Sequence, residues 1–152
     1  MKSLEQFIVE AKGGTYMAGK TAAEIPSRLG AKDIAYENGQ YRYLDSYYGG
    51  TDFVGQEAIW HKGTPVWAMN YYGRIVDATR FDGEKAGIVI KQALLALYQE
   101  KRFLGGFAYR HPLGEYIDET AGDYRSFTGI ERILVDGALA YRLDYHGGLI
   151  IP

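Results

Sequence analysis

Three groups of residues in this 152-residue chain have the types and spacing for chemistry. Gly14-Thr15-Tyr16-Met17-Ala18-Gly19-Lys20-Thr21 satisfies G-x-x-x-x-G-K-T, in which backbone amides cradle phosphates while the lysine and threonine serve phosphate and Mg²⁺. Such a loop works between a buried strand and a helix. Here a capped amphipathic helix precedes it and Pro26 interrupts the segment after it, so the string is expected to be a loop and not a nucleotide site. Ile133-Leu134-Val135-Asp136, which could pose as its acidic companion strand, is better used as a strand running into an Asp136-Gly137 turn.

The second group is acidic. Glu57 and Glu131 stand in matching settings, Phe53-x-Gly55-x-Glu57 and Phe127-x-Gly129-x-Glu131, and two carboxylates brought together can divide acid and base roles. With His146 as a third proton carrier they would suit a small hydrolase or transferase. Asp144, two residues from His146, would share its strand face and could orient the imidazole. The plainer expectation is that Glu131 faces Arg142 across a hairpin as a salt partner. His61, His111 and His146 show no ligand spacing and cysteine is absent, so neither a metal nor another cofactor is expected.

The third group is aromatic. Trp60, Trp67, Tyr71, Tyr141 and Tyr145 suit either a filled core or the wall of an apolar ligand cavity. Tyr41, Tyr43, Tyr47, Tyr48 and Tyr72 are expected on an open face, available to a protein partner or to a second copy of the chain. Stacking on bases is the weaker use of them. The chain has 17 Lys+Arg against 19 Asp+Glu, and no direct nucleic-acid binding is expected from that balance.

These groups need elements to carry them. Ser3 and Gln6 make a capping box for a helix to about Lys12, with Leu4, Phe7, Ile8 and Ala11 on one face and Gly13-Gly14 beyond. From Tyr16 to Gly30 the pattern fades, leaving an irregular loop with one short strand at Tyr16 to Ala18. Strands come next at Ile34 to Glu37 and Tyr41 to Tyr48 around Asn38-Gly39, then a hairpin from Phe53 to Tyr72 around Lys62-Gly63. Asp82 caps a long helix from about Glu84 to Lys101, whose Ala86, Ile90, Ala93, Leu94, Leu97 and Tyr98 form a broad apolar face. An irregular stretch holding Pro112 separates it from a last hairpin, Tyr124 to Val135 and Ala138 to His146, around Asp136-Gly137.

The two long hairpins match each other without gaps, Phe53 onward upon Phe127 onward. Phe53/Phe127, Gly55/Gly129, Glu57/Glu131, Ile59/Ile133, Gly63/Gly137, Tyr71/Tyr145 and Gly73/Gly147 are identical. We therefore expect one domain, 1–152, built from two repeats of about 1–76 and 77–152, the first enlarged around Pro26, where a long loop would suit binding. The fold class expected is α+β: a duplicated helix-plus-strands unit whose curved antiparallel sheet packs against two helices, a closed or half-closed barrel around the long helix being the alternative. Two-residue turns predict that Glu131 faces Arg142, Gly129 faces Asp144 and Phe127 faces His146, with Glu57 opposite Ala68, Gly55 opposite Asn70 and Phe53 opposite Tyr72. Ile130, Leu134, Leu139, Tyr141, Leu143 and Tyr145, with Trp60, Trp67, Met69 and Tyr71, would then pack under the helices.

Twenty glycines and fourteen tyrosines fit such a sheet, glycine opening turns and tyrosine coupling an apolar ring to a hydroxyl. No apolar run is long enough to span a membrane and no signal-peptide pattern leads the chain, so a cytoplasmic location is expected.

Phe53-x-Gly55-x-Glu57, Pro65-x-Trp67-x-Met69-Asn70-Tyr71-x-Gly73 and Tyr145-His146-Gly147-Gly148 resemble a bacterial and archaeal family catalogued as a domain of unknown function. The likeness runs from Phe7-x-x-x-Ala11-Lys12 and Thr15-Tyr16 through Gly30-x-Lys32-Asp33 to the last Gly-Gly. Members of that family stand alone or behind a helix-turn-helix of the XRE type, which implies a sensor or oligomerisation module. It brings no catalytic residues. The leading expectation is a non-catalytic small-molecule-binding or sensory domain, its ligand near Glu57, Asn70, Tyr72, Glu131, Arg142, Asp144 and His146; the rivals are the enzyme above and a protein-interaction or dimerisation module.

Overall fold

The computed structural model describes residues 2–152 and, of Tyr16, the backbone alone. A helix followed by four strands occurs twice: α1 (Leu4–Gly13) precedes β1 (Lys32–Asn38), β2 (Tyr41–Gly49), β3 (Phe53–His61) and β4 (Thr64–Ile75), and α2 (Gly83–Gln99) precedes β5 (Phe107–His111), β6 (Gly114–Asp123), β7 (Ser126–Val135) and β8 (Ala138–Leu149). All eight strands form one antiparallel sheet in the order β1-β2-β3-β4-β8-β7-β6-β5. β4 and β8 meet at the centre, while β1 and β5 remain as edges. The class is α+β with a curved, unclosed sheet, and the two edges exclude a closed barrel.

Both helix starts arise from their caps. Ser3 and Gln6 exchange the two hydrogen bonds of a capping box, and the Asp82 carboxylate accepts from the Lys85 amide at 2.9 Å. The helices bury Phe7, Ile8 and Ala11 from α1 and Ala86, Val89, Ile90, Ala93 and Leu97 from α2. Lys12 is buried on that face too, an unusual place for an ammonium. Beneath them Trp67 and Phe127 stack at 5.9 Å, with Phe103 edge-on to both.

Several local expectations are corrected. Residues 16–18 form a 3-10 turn rather than a strand, and the first hairpin turns at Gly39-Gln40, one residue later than Asn38-Gly39. The stretch around Pro112 holds β5 and β6, missed because its short strands carry charged residues through Glu115, Asp118 and Glu119. The Gly14–Thr21 string begins directly after α1 and itself contains the 3-10 turn, so, as expected, the phosphate-loop context is missing. The loop around Pro26 packs on the β1–β2 side facing away from the helices: Ser27 N–H donates to Asp33 at 2.7 Å and the Arg28 guanidinium to the Ser46 hydroxyl at 2.9 Å.

The largest correction is one of register. Lys62-Gly63 and Asp136-Gly137 do turn the two long hairpins, all four residues at positive φ, but each hairpin then contains a bulge. Trp60 pairs with Pro65 and Ile59 with Trp67, leaving Val66 over; Leu134 pairs with Leu139 and Ile133 with Tyr141, leaving Ala140 over. The bulge carbonyls are used, Val66 accepting from the Ile150 amide at 3.0 Å and Ala140 from Val76 at 2.8 Å. Beyond the bulges every partner shifts by one residue: Glu131 faces Leu143, Gly129 faces Tyr145, Phe127 faces Gly147, Glu57 faces Met69, Gly55 faces Tyr71 and Phe53 faces Gly73. A one-residue slip turns a strand over. β7 therefore presents Phe127, Gly129, Glu131 and Ile133 to the helices instead of Ile130 and Leu134, and β3 presents Glu57 and Ile59 instead of Trp60.

Candidate functional site

The slip brings both glutamates inside. On the face covered by the helices, Glu57 and Glu131 are 7% and 9% exposed, and in each half an aspartate lies beside the glutamate in register, Asp45 with Glu57 and Asp118 with Glu131. A tyrosine supports each aspartate. Tyr71 donates to Asp45 at 2.6 Å and Tyr145 donates to Asp118 at 2.7 Å, with the Thr120 hydroxyl also 2.7 Å from Tyr145. Glycine makes those bonds possible, because a Cβ on Gly55 would stand 2.5 Å from the Tyr71 hydroxyl and one on Gly129 would stand 2.0 Å from the Tyr145 ring. Each ring crosses a bare stretch of the neighbouring strand to reach its aspartate.

Among the described residues, one fully buried base, Lys12, faces these acids, while the half-exposed Arg102 acts on Asp118. The Lys12 ammonium lies 2.6 Å from Glu57 and 5.7 Å from the centre of the Phe103 ring. Burial, then the neighbouring Glu57, pushes the Asp45 carboxyl up to about 7. Burial, then Asp118, pushes Glu131 up to about 8, against the pull of Tyr116 and Lys12. Asp118 is raised as well, chiefly by burial, and the Tyr43, Tyr98 and Tyr116 phenols are held neutral by burial among these carboxylates.

Apart from Asp118, Tyr116 and Arg102, these groups line a cavity of about 340 Å³ between the helices and the sheet. Lys12, Asp45, Glu57 and Glu131 supply its polar wall, and Tyr71, Tyr98, Tyr145, Ile90, Leu94 and Phe103 are among its rings and apolar groups. It reaches solvent beside Lys32, Gly49, Gly50 and Thr51, all exposed, where the β2–β3 connection meets the start of α2. Lys32 is tied at this rim, donating to the Gly49 carbonyl at 3.0 Å. Among the described residues, no group of three or more histidine, aspartate or glutamate side chains is arranged to hold a metal ion.

The expected site is thus divided. Glu57 and Glu131 line the cavity, whereas Asn70, Tyr72, Arg142, Asp144 and His146 lie on the opposite face of the sheet. Arg142 pairs with Asp144 through two hydrogen bonds, 2.8 and 2.7 Å, and not with Glu131. His146 is not oriented by Asp144; its Nε2 lies 3.2 Å from the Asn70 amide nitrogen, and the Asn70 oxygen accepts from Gln56 at 2.9 Å. Glu57, Glu131 and His146 therefore form no common acid–base site. Of the aromatic set, Tyr71, Tyr141 and Tyr145 reach the cavity, Trp67 fills the core and Trp60 sits half-buried on the other face. Tyr41, Tyr43 and Tyr47 face inward as well, Tyr41 stacking on Phe7 at 4.9 Å, which leaves Tyr48 and Tyr72 on the outer face.

Lys12, Asp45, Asp118 and Tyr116 are not among the expected site residues, Tyr43 is expected on the open face, and Tyr98 is expected only as part of the apolar face of α2. Tyr43-Leu44-Asp45 matches Tyr116-Ile117-Asp118, but only after one residue is allowed for in the next turn, so an ungapped comparison starting at Phe53 ends before reaching them.

Residues 45–150 match the family described as a domain of unknown function (DUF5680). The chain belongs to the DUF5680 family. The matched span starts at Asp45 and takes in Glu57, Tyr71, Asp118, Glu131 and Tyr145, so in this DUF5680 chain all four carboxylates and both supporting tyrosines lie within it, with Lys12 outside. No curated protein and no solved structure matches the chain. Among its described residues, no helix is long and apolar enough to cross a membrane.

Proposed function

We propose that this protein is a non-catalytic binding domain for a small molecule held between its helices and its sheet. The supporting observation is the cavity itself. About 340 Å³ is within the range of ligand pockets, and it combines an apolar wall with a few convergent buried polar groups. Burying Asp45, Glu57, Asp118 and Glu131 together costs stability, and a set of groups that opposes folding is most simply retained for what it binds. A sensory role fits this reading, because occupancy would tie α1 and α2 to the sheet through one ligand. In chains where such a domain adjoins a DNA-binding part, that would convey a metabolite signal.

The test is a ligand-induced thermal-shift screen across a broad metabolite panel. Leu94→Trp, which fills the cavity from α2, and Asp45→Asn should each abolish the shifts seen with the unmodified chain. Asn70→Ala, Asp144→Ala and His146→Ala, on the outer face, should leave them unchanged; the reverse pattern sinks the proposal.

A further inference from the structure

Resting on that reading, we infer that the ligand is an organic cation whose ammonium or guanidinium group sits against Glu131 as the Lys12 ammonium sits against Glu57. The first half of the site already displays the arrangement: a carboxylate 7% exposed, an ammonium 2.6 Å from it, and an aromatic ring 5.7 Å from that ammonium. Glu131 repeats the carboxylate. It stands beside Asp118 and opposite Leu143 as Glu57 stands beside Asp45 and opposite Met69, is nine-tenths buried, and lines the same cavity. What differs is the base. Lys12 is the next-to-last residue of α1, and the next-to-last residue of α2 is Tyr98. Among the described residues, no lysine, arginine or histidine nitrogen lies within 4.0 Å of the Glu131 carboxylate.

Chemistry then favours a cation over a neutral guest. The groups facing Glu131 are Asp118 and Tyr116 from β6, Tyr145 from β8, Tyr98 from α2, Glu57 from β3 and the already engaged Lys12 from α1. Carboxylates and phenols dominate, so the local field attracts positive charge. Unassisted, the Glu131 carboxyl keeps its proton up to about pH 8. An ammonium brought against it takes the place of that proton, which leaves to solvent.

Calorimetry with amine–alcohol pairs of matched shape, phenethylamine with 2-phenylethanol and butylamine with 1-butanol, tests this directly. The amines should bind about tenfold or more tightly than the alcohols, and the amine affinity should rise by up to about tenfold per pH unit between pH 6 and 8, then level off. Binding heats should vary with the ionisation enthalpy of the buffer, reporting the released proton. Glu131→Gln, which keeps the shape, should remove the amine preference and the pH slope while leaving the alcohols within about twofold. If alcohols bind as well as amines and Glu131→Gln changes neither, the cation assignment fails while the pocket stands. If none of the four compounds binds, the cation assignment also fails, and the pocket reading is judged separately by the metabolite screen with Leu94→Trp.

Discussion

The two halves of the inner face carry the same acids and differ in how those acids are compensated. Around β2–β4, Glu57 has a lysine 2.6 Å away and Asp45 has the Tyr71 hydroxyl. Around β6–β8, Asp118 has Tyr145 supported by Thr120, but Glu131 has phenols in place of a cation. One half is therefore an ion pair closed within the protein, and the other is a buried acid that stays protonated near neutral pH. The difference comes down to two helix positions, Lys12 and Tyr98. A sheet that repeats itself can thus keep one charged pair as structure and offer the matching position to solution.

Breaking the closed half should have the largest effect. Lys12→Met strands Glu57 as a buried carboxylate without its base, which should cost about 3–5 kcal/mol in urea unfolding at pH 8. Lys12→Met combined with Glu57→Gln should recover most of that loss, because the uncompensated charge goes with its partner. A single-mutant loss below about 1 kcal/mol would show that Glu57 is reached by water and that the two halves are not distinct in this way.

How much of this was legible depended on the scale of the signal. The helices and their caps were visible because Ser3, Gln6 and Asp82 act within one turn, and the two long hairpins were visible because Lys62-Gly63 and Asp136-Gly137 name their own turns. The faces were not. Val66 and Ala140 have no side-chain property that marks a bulge, yet each reverses the pairing of everything beyond it, and that reversal moved Glu57 and Glu131 from an open face to the interior. Glycine opposite tyrosine was the signal that could have revealed the register: Gly55 with Tyr71 and Gly129 with Tyr145 recur at the same spacing, and a ring lying over a bare strand explains both residues at once. Lys12 was hidden for a different reason, since a lysine near a helix C-terminus is ordinarily a solvated partner of the dipole.

Glu131 in the open half should respond with the opposite sign. Its carboxyl holds a proton up to about 8 in the folded chain and releases it near 4.5 when unfolded, so the unfolded state binds fewer protons between those values. Stability from this group is complete below pH 4.5, falls as pH rises toward 8, and is level above. Glu131→Gln removes the slope, and the variant should be more stable than the unmodified chain at pH 9 by roughly 4 kcal/mol while differing little at pH 4.5. Unfolding midpoints across that range decide it. A variant destabilised equally at both ends would mean that Glu131 makes a structural hydrogen bond that glutamine cannot replace.

The smallest expected difference lies between the two supporting tyrosines. Tyr71→Phe takes from Asp45 a donor at 2.6 Å, and Asp45 has Glu57 beside it, so its carboxyl should rise further above 7. The loss should be about 1 kcal/mol at pH 5, where the acid is neutral, and about 2 kcal/mol at pH 9, where a buried charge has lost a charge-assisted bond. Tyr145→Phe takes away the corresponding donor to Asp118, but Thr120, whose hydroxyl is already 3.4 Å from that carboxylate, can turn fully toward it. Its loss should stay near 1 kcal/mol, with less change between pH 5 and 9. Thr120→Val in the Tyr145→Phe background should then restore the steeper pH dependence of the first half, because both halves would present an aspartate without a hydroxyl donor. If Tyr145→Phe alone is already as pH-dependent as Tyr71→Phe, Thr120 is not the source of the contrast, and the asymmetry of the site rests on Lys12 and Tyr98 alone.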